Sequence, residues 1–341
     1  MNNITKVSQK VQILNEEYIP QKLRPRFLTG VEAISLREFD SLNANGRSLV
    51  SNRWTGESRV RRTVKDKRFP LLLLRIILKQ YVPSAGWLRI SLDHSKFGYF
   101  NVAVLAVSVG QGRSIPIWCV ATRYRKAPLL KPLLRVLKIL ADQLSFDQKR
   151  RAVFVMDRWF GIPDLLKWID GEGMHFIVRM KQDIQVGVPY ECLHHTVALG
   201  EIPHEDLQVT HARRQWRFVR SHLRSGMKEA EPWFLLTNFT SEEYSRKHVL
   251  AAYAERFEIE EHFKDIKWIQ DYKWQHIRSK AVMVTVLMFV FFGWWLLHRT
   301  FGSVVRKARQ RGQHPKKQLS WFRAIWEYWQ NSRRRPLFAS G

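Results

Sequence analysis

Cysteine is nearly missing from this chain: only Cys119 and Cys192 occur, far apart, with no second cysteine beside either. That spacing offers no zinc-binding pair, and it points to a reducing, cytosolic setting. Acidic residues are also scarce, 30 Asp plus Glu against 57 Lys plus Arg, for a formal charge of +27. The usual partners of so large a cationic field are nucleic acid or an anionic membrane. The N-terminal stretch MNNITKVSQKVQILNEEY lacks the apolar segment of a secretory signal, and no internal repeat is present. Long apolar runs are limited to one, Ala281 to Leu297 (AVMVTVLMFVFFGWWLL). A spanning helix needs about 20 residues. This shorter run is read as the core helix of a large domain, which is apolar on every side, and no membrane partner is expected.

What is present argues for a folded, nucleic-acid-binding protein. A hydrophobic fraction of 45%, with 14 Trp and 20 Phe in 341 residues, excludes global disorder. The basic residues run from end to end and alternate with aromatics, which favours nucleic acid over membrane; a ribosomal-type binder also fits that composition. Three regions are expected. Residues 1–80 form a basic helical region, 81–300 an α/β region with a β-rich insertion at about 181–248, and 301–341 a basic aromatic tail.

In the first region, Gly30 to Leu42 is helix-like, Asn43 to Gly46 is a turn signal and Ser58 to Lys67 is a short basic helix. That order is compatible with a helix-turn-helix laying Arg59, Arg61, Arg62 and Lys65 against DNA. A solvated basic helix that only contacts phosphates is an equal reading.

From Trp87 the pattern turns to strands. LRISLD ends at Asp93, and Tyr99–Gly110 and Ser114–Thr122 complete an antiparallel meander. A helix over Ala127–Leu144, the strand RAVFVMD ending at Asp157, a helix over Ile162–Gly171 and the strand Met174–Met180 follow. The insertion holds two further strand candidates, Gln215–Arg224 and Pro232–Thr240. Two strands ending in aspartate are notable, because ligands of α/β sheets bind outside the strand carboxyl ends. Taken singly, each aspartate could equally start a turn or cap a helix.

The segment Tyr253 to Lys267 (YAERFEIEEHFKDIK) supplies a third carboxylate. On a helix, Tyr253, Arg256, Glu260, Lys264 and Lys267 fall within a sector of about 80°. That stripe selects Glu260 as an acid framed by cations; as an ordinary solvated surface it would be a ladder of i,i+4 ion pairs. Carboxylates on three separate elements can hold two Mg²⁺ ions, with Mn²⁺ as a substitute, beside a phosphodiester. Arg256, Lys264 and Lys267 would then hold phosphates, and Tyr253 would hydrogen-bond to or stack on the strand.

The order β-β-β-α-β-α-β, with Asp93 on the first strand, Asp157 on the fourth and Glu260 on a later helix, resembles the DDE transposases. The spacing Tyr253-x2-Arg256-x3-Glu260-x6-Lys267 resembles the Y-R-E-K signature of bacterial insertion-sequence transposases that carry a β-rich insertion. The resemblance covers about Trp87 to Leu297. It implies a ribonuclease H-like core, a mixed five-stranded sheet flanked by helices, with Asp93, Asp157 and Glu260 as catalytic metal ligands. It also implies Mg²⁺-dependent nicking at element ends followed by strand transfer, and terminal-phosphate contacts by Tyr253, Arg256 and Lys267. Trp233, before the strand FLLT, takes the place of a residue that stacks on an extruded base, with packing of the insertion as the alternative. The implied partners are double-stranded DNA, as terminal inverted repeats and target, and further copies of the chain in a dimer or higher oligomer. The implied location is a bacterial cytoplasm, at the nucleoid. One departure stands out: Trp159 occupies a position after the second aspartate that is small in relatives. Two other functions share the scaffold, a nuclease without strand transfer and a non-catalytic DNA-binding protein.

Overall fold

The computed structural model describes residues 3–35, 52–81, 85–108, 114–123, 130–190, 193–221, 232–257, 259–260, 263, 276–310, 325 and 329. Four helices come first: α1 (Asn3–Tyr18), α2 (Arg24–Gly30), α3 (Arg53–Lys65) and α4 (Phe69–Tyr81). A π-helical turn, Val31–Ser35, follows α2. The expected turn at Asn43–Gly46 lies outside the described residues. The basic helix starts at Arg53, ahead of the expected Ser58, because the Asn52 side chain accepts a hydrogen bond from the Thr55 N–H and caps it there.

The sheet begins with β1 (Leu88–Phe97), β2 (Phe100–Ser108) and β3 (Ser114–Arg123). Gly98, at φ +54°, makes the tight turn from β1 into β2, a conformation that glycine adopts without a Cβ penalty. Helix α5 (Leu130–Ala141) buries Leu133, Val136, Leu137 and Leu140, an i, i+3, i+4, i+7 stripe. After α6 (Phe146–Arg150) come β4 (Ala152–Met156), α7 (Pro163–Gly171) and β5 (His175–Met180). β4 pairs in parallel with both β1 and β5, so five strands run in the order β3-β2-β1-β4-β5. A mixed five-stranded core is what the resemblance implies, and the parallel pairs make it mixed.

The insertion does not form a separate sheet. It supplies β6 (Gln185–Tyr190), β7 (Leu193–Ala198), β8 (Asp206–His211), β9 (Arg214–Arg220) and β10 (Phe234–Thr237). β10, buried at all four residues, pairs antiparallel with β5, and the sheet continues as β10-β9-β8-β6-β7 to ten strands. The open edge of β5, with its unpaired backbone groups, is thereby covered.

Two helices close the described chain, α8 (Arg246–Glu255) and α9 (Lys280–Gln310). α9 contains the apolar run, and among the described residues it is the one helix long and apolar enough to cross a bilayer. Of that stretch, 78% is buried inside the protein. The helix packs against β3 on the sheet and against α4 and the π-helical turn. Phe27 meets Phe292 at 5.5 Å and Phe69 meets Phe289 at 5.1 Å between ring centroids. A Cβ on Gly30 would run into the Phe289 ring, so glycine is what lets α2 approach. The helix is apolar all round because it is enclosed all round.

Candidate active site

The parallel register of β1 with β4 sets the site. Its last pair is Leu92 with Met156, so Asp93 and Asp157 are the next residues on adjacent strands. β4 stops there, and Asp157 enters a short 3-10 turn, Arg158–Phe160, where its carboxylate caps no backbone N–H. β1 does not stop: Asp93 pairs with Val104 of β2, and the hairpin continues to Phe97. The expectation of a strand ending at Asp93 is therefore corrected. What ends there, at Leu92, is the pairing with β4.

Glu260 reaches the same place through α8. The C-terminal end of that helix is fixed over the sheet by Glu255, which accepts hydrogen bonds from Arg89 of β1 and Ser108 of β2. Arg256 follows, buried at 3% exposure. One nitrogen, Nη1, donates to Asp93 Oδ2 at 2.7 Å, and Nη2 donates to Glu260 Oε1 at 2.9 Å. One guanidinium thus ties the first strand to the third carboxylate across an i,i+4 step. Asp93 Oδ1 accepts from the N–H of His94 at 2.7 Å.

The electrostatics treat these groups as one site. Burial pushes the Asp93 carboxyl above its ordinary range; Arg256 and the His94 N–H pull it back, and Asp157 and Glu260 push it further up. Burial pulls Arg256 down, but Tyr253, Asp93, Asp157 and Glu260 together hold it above its usual value. Burial also raises Tyr253, whose phenol therefore stays protonated, with Arg256 and Asp157 acting on it in opposite senses. Its hydroxyl has no hydrogen-bond partner of good geometry among the described residues.

Aromatic rings form the wall behind the arginine. Arg256 lies 4.7 Å over the Phe257 ring and 5.6 Å over that of Tyr253. Trp233, half-buried, meets Tyr253 edge-on at 4.9 Å and Phe257 at 6.1 Å. Tyr253, Arg256, Glu260 and Trp233 are thus brought together with Asp93 and Asp157. Lys264 and Lys267 lie outside the described residues. Arg59, Arg61 and Arg62 are exposed on α3, whose main packing partners are α2 and α9, so they form a second cationic surface.

Two features were not singled out in the sequence as parts of a site. A cavity of about 250 Å³ at the carboxyl end of β5 is lined by Arg158, Arg179, Lys181 and Phe234 among others. The rings of His94 and Trp159 stand 4.9 Å apart beside the two aspartates. For His94, Arg158 and Trp159 the cue was position, since each lies one or two residues after an aspartate of the site.

Hard oxygen donors are the right chemistry for Mg²⁺ or Mn²⁺. Among the described residues no three acidic or imidazole groups already stand close enough to hold an ion. Asp93 Oδ2 and Glu260 Oε1 nevertheless converge on one cationic centre, that of Arg256. The donor set fits a divalent cation once that guanidinium withdraws.

A mixed sheet in the order 3-2-1-4-5, with acids on the first strand, after the fourth and on a later helix, defines the class of ribonuclease H-like proteins that act on nucleic-acid phosphodiesters. Within that class the chain belongs to the transposase DDE domain family, whose model matches residues 98–296, more than half of its length. The match begins after Asp93 and contains Asp157 and Glu260. No curated protein matches the chain. The family makes this a DNA-acting, transposase-type nuclease of a kind that generally works with divalent metals.

Proposed function

We propose that this chain is a DNA transposase that hydrolyses phosphodiesters at the ends of its own element and joins the freed 3′-hydroxyls to target DNA. The observation that carries the proposal is the register that sets Asp93 beside Asp157, with Glu260 held to Asp93 through one arginine. Asp93, Asp157 and Glu260 are the residues assigned to hold Mg²⁺, as two ions, or Mn²⁺. When bound, such ions supply an activated water or hydroxyl and neutralise the leaving oxygen.

The remaining residues bind and orient. Arg256 exchanges its carboxylate partners for a DNA phosphate, which suits a planar guanidinium that can hold two oxygens at once. The Tyr253 hydroxyl, which makes no hydrogen bond of good geometry among the described residues, donates to a phosphate oxygen. Lys264 and Lys267 extend the phosphate grip along the same helical stripe, and Trp233 braces Tyr253 from behind. Arg59, Arg61 and Arg62 contact the flanking duplex backbone. The chain works as a homodimer or higher oligomer on paired element ends, in the cytoplasm, where its DNA is.

The reaction divides into two measurable parts. End-labelled DNA carrying the inverted repeats that flank the coding sequence is incubated with the protein, Mg²⁺ and a supercoiled target plasmid. Nicks at the repeat termini followed by covalent joining of their 3′-hydroxyls to plasmid are expected. Nicks without joined product would reduce the function to that of a nuclease.

A further inference from the structure

The two aspartates each stand next to a ring. Trp159 follows Asp157 in the 3-10 turn and is 61% exposed. His94 follows Asp93, and its ring lies 4.9 Å from that of Trp159 at 47°. The turn explains the orientation: the Phe160 N–H bonds to the Asp157 carbonyl at 2.9 Å, Phe160 is fully buried, and the next side chain back is directed outward. Phe160 also stands 6.2 Å from the His94 ring, so the imidazole is held between a core anchor and the exposed indole.

An exposed tryptophan alone means little, since single apolar side chains are common on protein surfaces. This one lies in the turn that starts at Asp157, and its neighbour Arg158 lines a cavity together with Arg179 and Lys181. Aromatic faces beside cations are what unpaired nucleotides require, because every base has a π-face and every linkage a charge. The other large rings near the carboxylates are engaged. Tyr253 is buried, Trp233 is half-buried against Tyr253, and Phe257 has the Arg256 guanidinium over its face.

We infer that Trp159, steadied by His94, is a stacking platform for an unpaired nucleobase of the DNA strand next to the bond being cut. The inference rests on the transposase reading of the same site and adds the ligand that its rim takes. A base seated on Trp159 holds the strand end apart from its complement, which orients one phosphate towards Asp93 and Asp157.

The test is binding without metal, in the full chain carrying Glu260→Gln, so that no cutting intervenes. The probe is a duplex with a three-nucleotide unpaired end in which 2-aminopurine replaces each unpaired base in turn. Quenching at one position is expected, as the fluorescent base stacks. Trp159→Ala should abolish that quench and weaken binding about 5- to 150-fold, the equivalent of about 1–3 kcal/mol for one stacked base. Trp159→Phe should retain most of both, and Trp54→Ala, which removes a still more exposed ring on α3, should change neither. Melting temperatures of all variants should agree, because both indoles are exposed. Quenching and affinity in Trp159→Ala equal to those of the parent would overturn the platform and leave the transposase reading intact. A parent protein that fails to bind the probe at low salt would overturn both.

Discussion

Arg256 is the residue on which the site turns. A buried carboxylate without a partner is costly, and Asp93 at 7% exposure depends on this guanidinium and one backbone N–H. In the described state the arginine does for Asp93 and Glu260 what a divalent cation would do; a metal would compete with it for the carboxylate oxygens, and a DNA phosphate would compete with those carboxylates for its N–H donors. Replacement of Arg256 by Met keeps the volume and removes the charge. It should cost about 3 kcal/mol of stability, the usual penalty for a buried charge left alone. Urea unfolding of the variant checks this, and an unchanged midpoint would mean that Asp93 is satisfied by other groups. Arg256→Lys should recover only part of the loss, because one ammonium does not span both carboxylates with the same planar geometry.

Elements place these residues, and some of that placement was legible beforehand. Asp157 could be located because β4 is a short, wholly apolar run that stops at a polar residue. Tyr253, Arg256 and Glu260 could be aligned because helical periodicity alone sets an i,i+3,i+7 stripe, and the Arg256–Glu260 pair realises its i,i+4 step. The extent of β1 could not be read in this way, since Asp93 lies inside a hairpin whose register depends on β2. The ten-stranded sheet was equally hidden. Pairing of β5 with β10 joins segments separated by most of the insertion, and no local pattern encodes it. α4 and the apolar helix were also invisible as partners, although each was apolar by itself. At the junction of α3 and α4, Asp66 accepts hydrogen bonds from Arg68 at 2.7 and 2.9 Å and from Arg26 at 2.9 Å. These arginines hold its carboxyl down to about 2, against an ordinary 3.8. A carboxyl lowered on folding adds stability above its unfolded value and loses it as the pH falls through the folded one. Asp66→Asn should therefore cost about 1 kcal/mol at neutral pH, a figure reduced for the exposure of both arginines. The gap between variant and parent should close as the pH drops from about 4 to about 2. A gap that is constant with pH in chemical denaturation would show that the ion pairs contribute nothing.

At the scale of the whole molecule, a charge of +27 is spread over a protein whose core is continuous from the N-terminal helices through α9 to the sheet. That continuity makes the basic face of α3 and the carboxylate site parts of one body built around one buried helix. The field gathers DNA without regard to sequence, and affinity should fall steeply with salt. The three acids, spaced by strand register and helix periodicity, are what would turn such binding into chemistry. The most direct measurement is Mg²⁺-dependent nicking of element-end DNA by Glu260→Gln, a change that keeps the side-chain shape and its hydrogen-bonding to Arg256 in part. The expected result is a fall in nicking of at least about a thousandfold, with DNA binding and melting temperature close to those of the parent. Nicking at the parental rate would contradict the assignment of Glu260 and, with it, the three-carboxylate site.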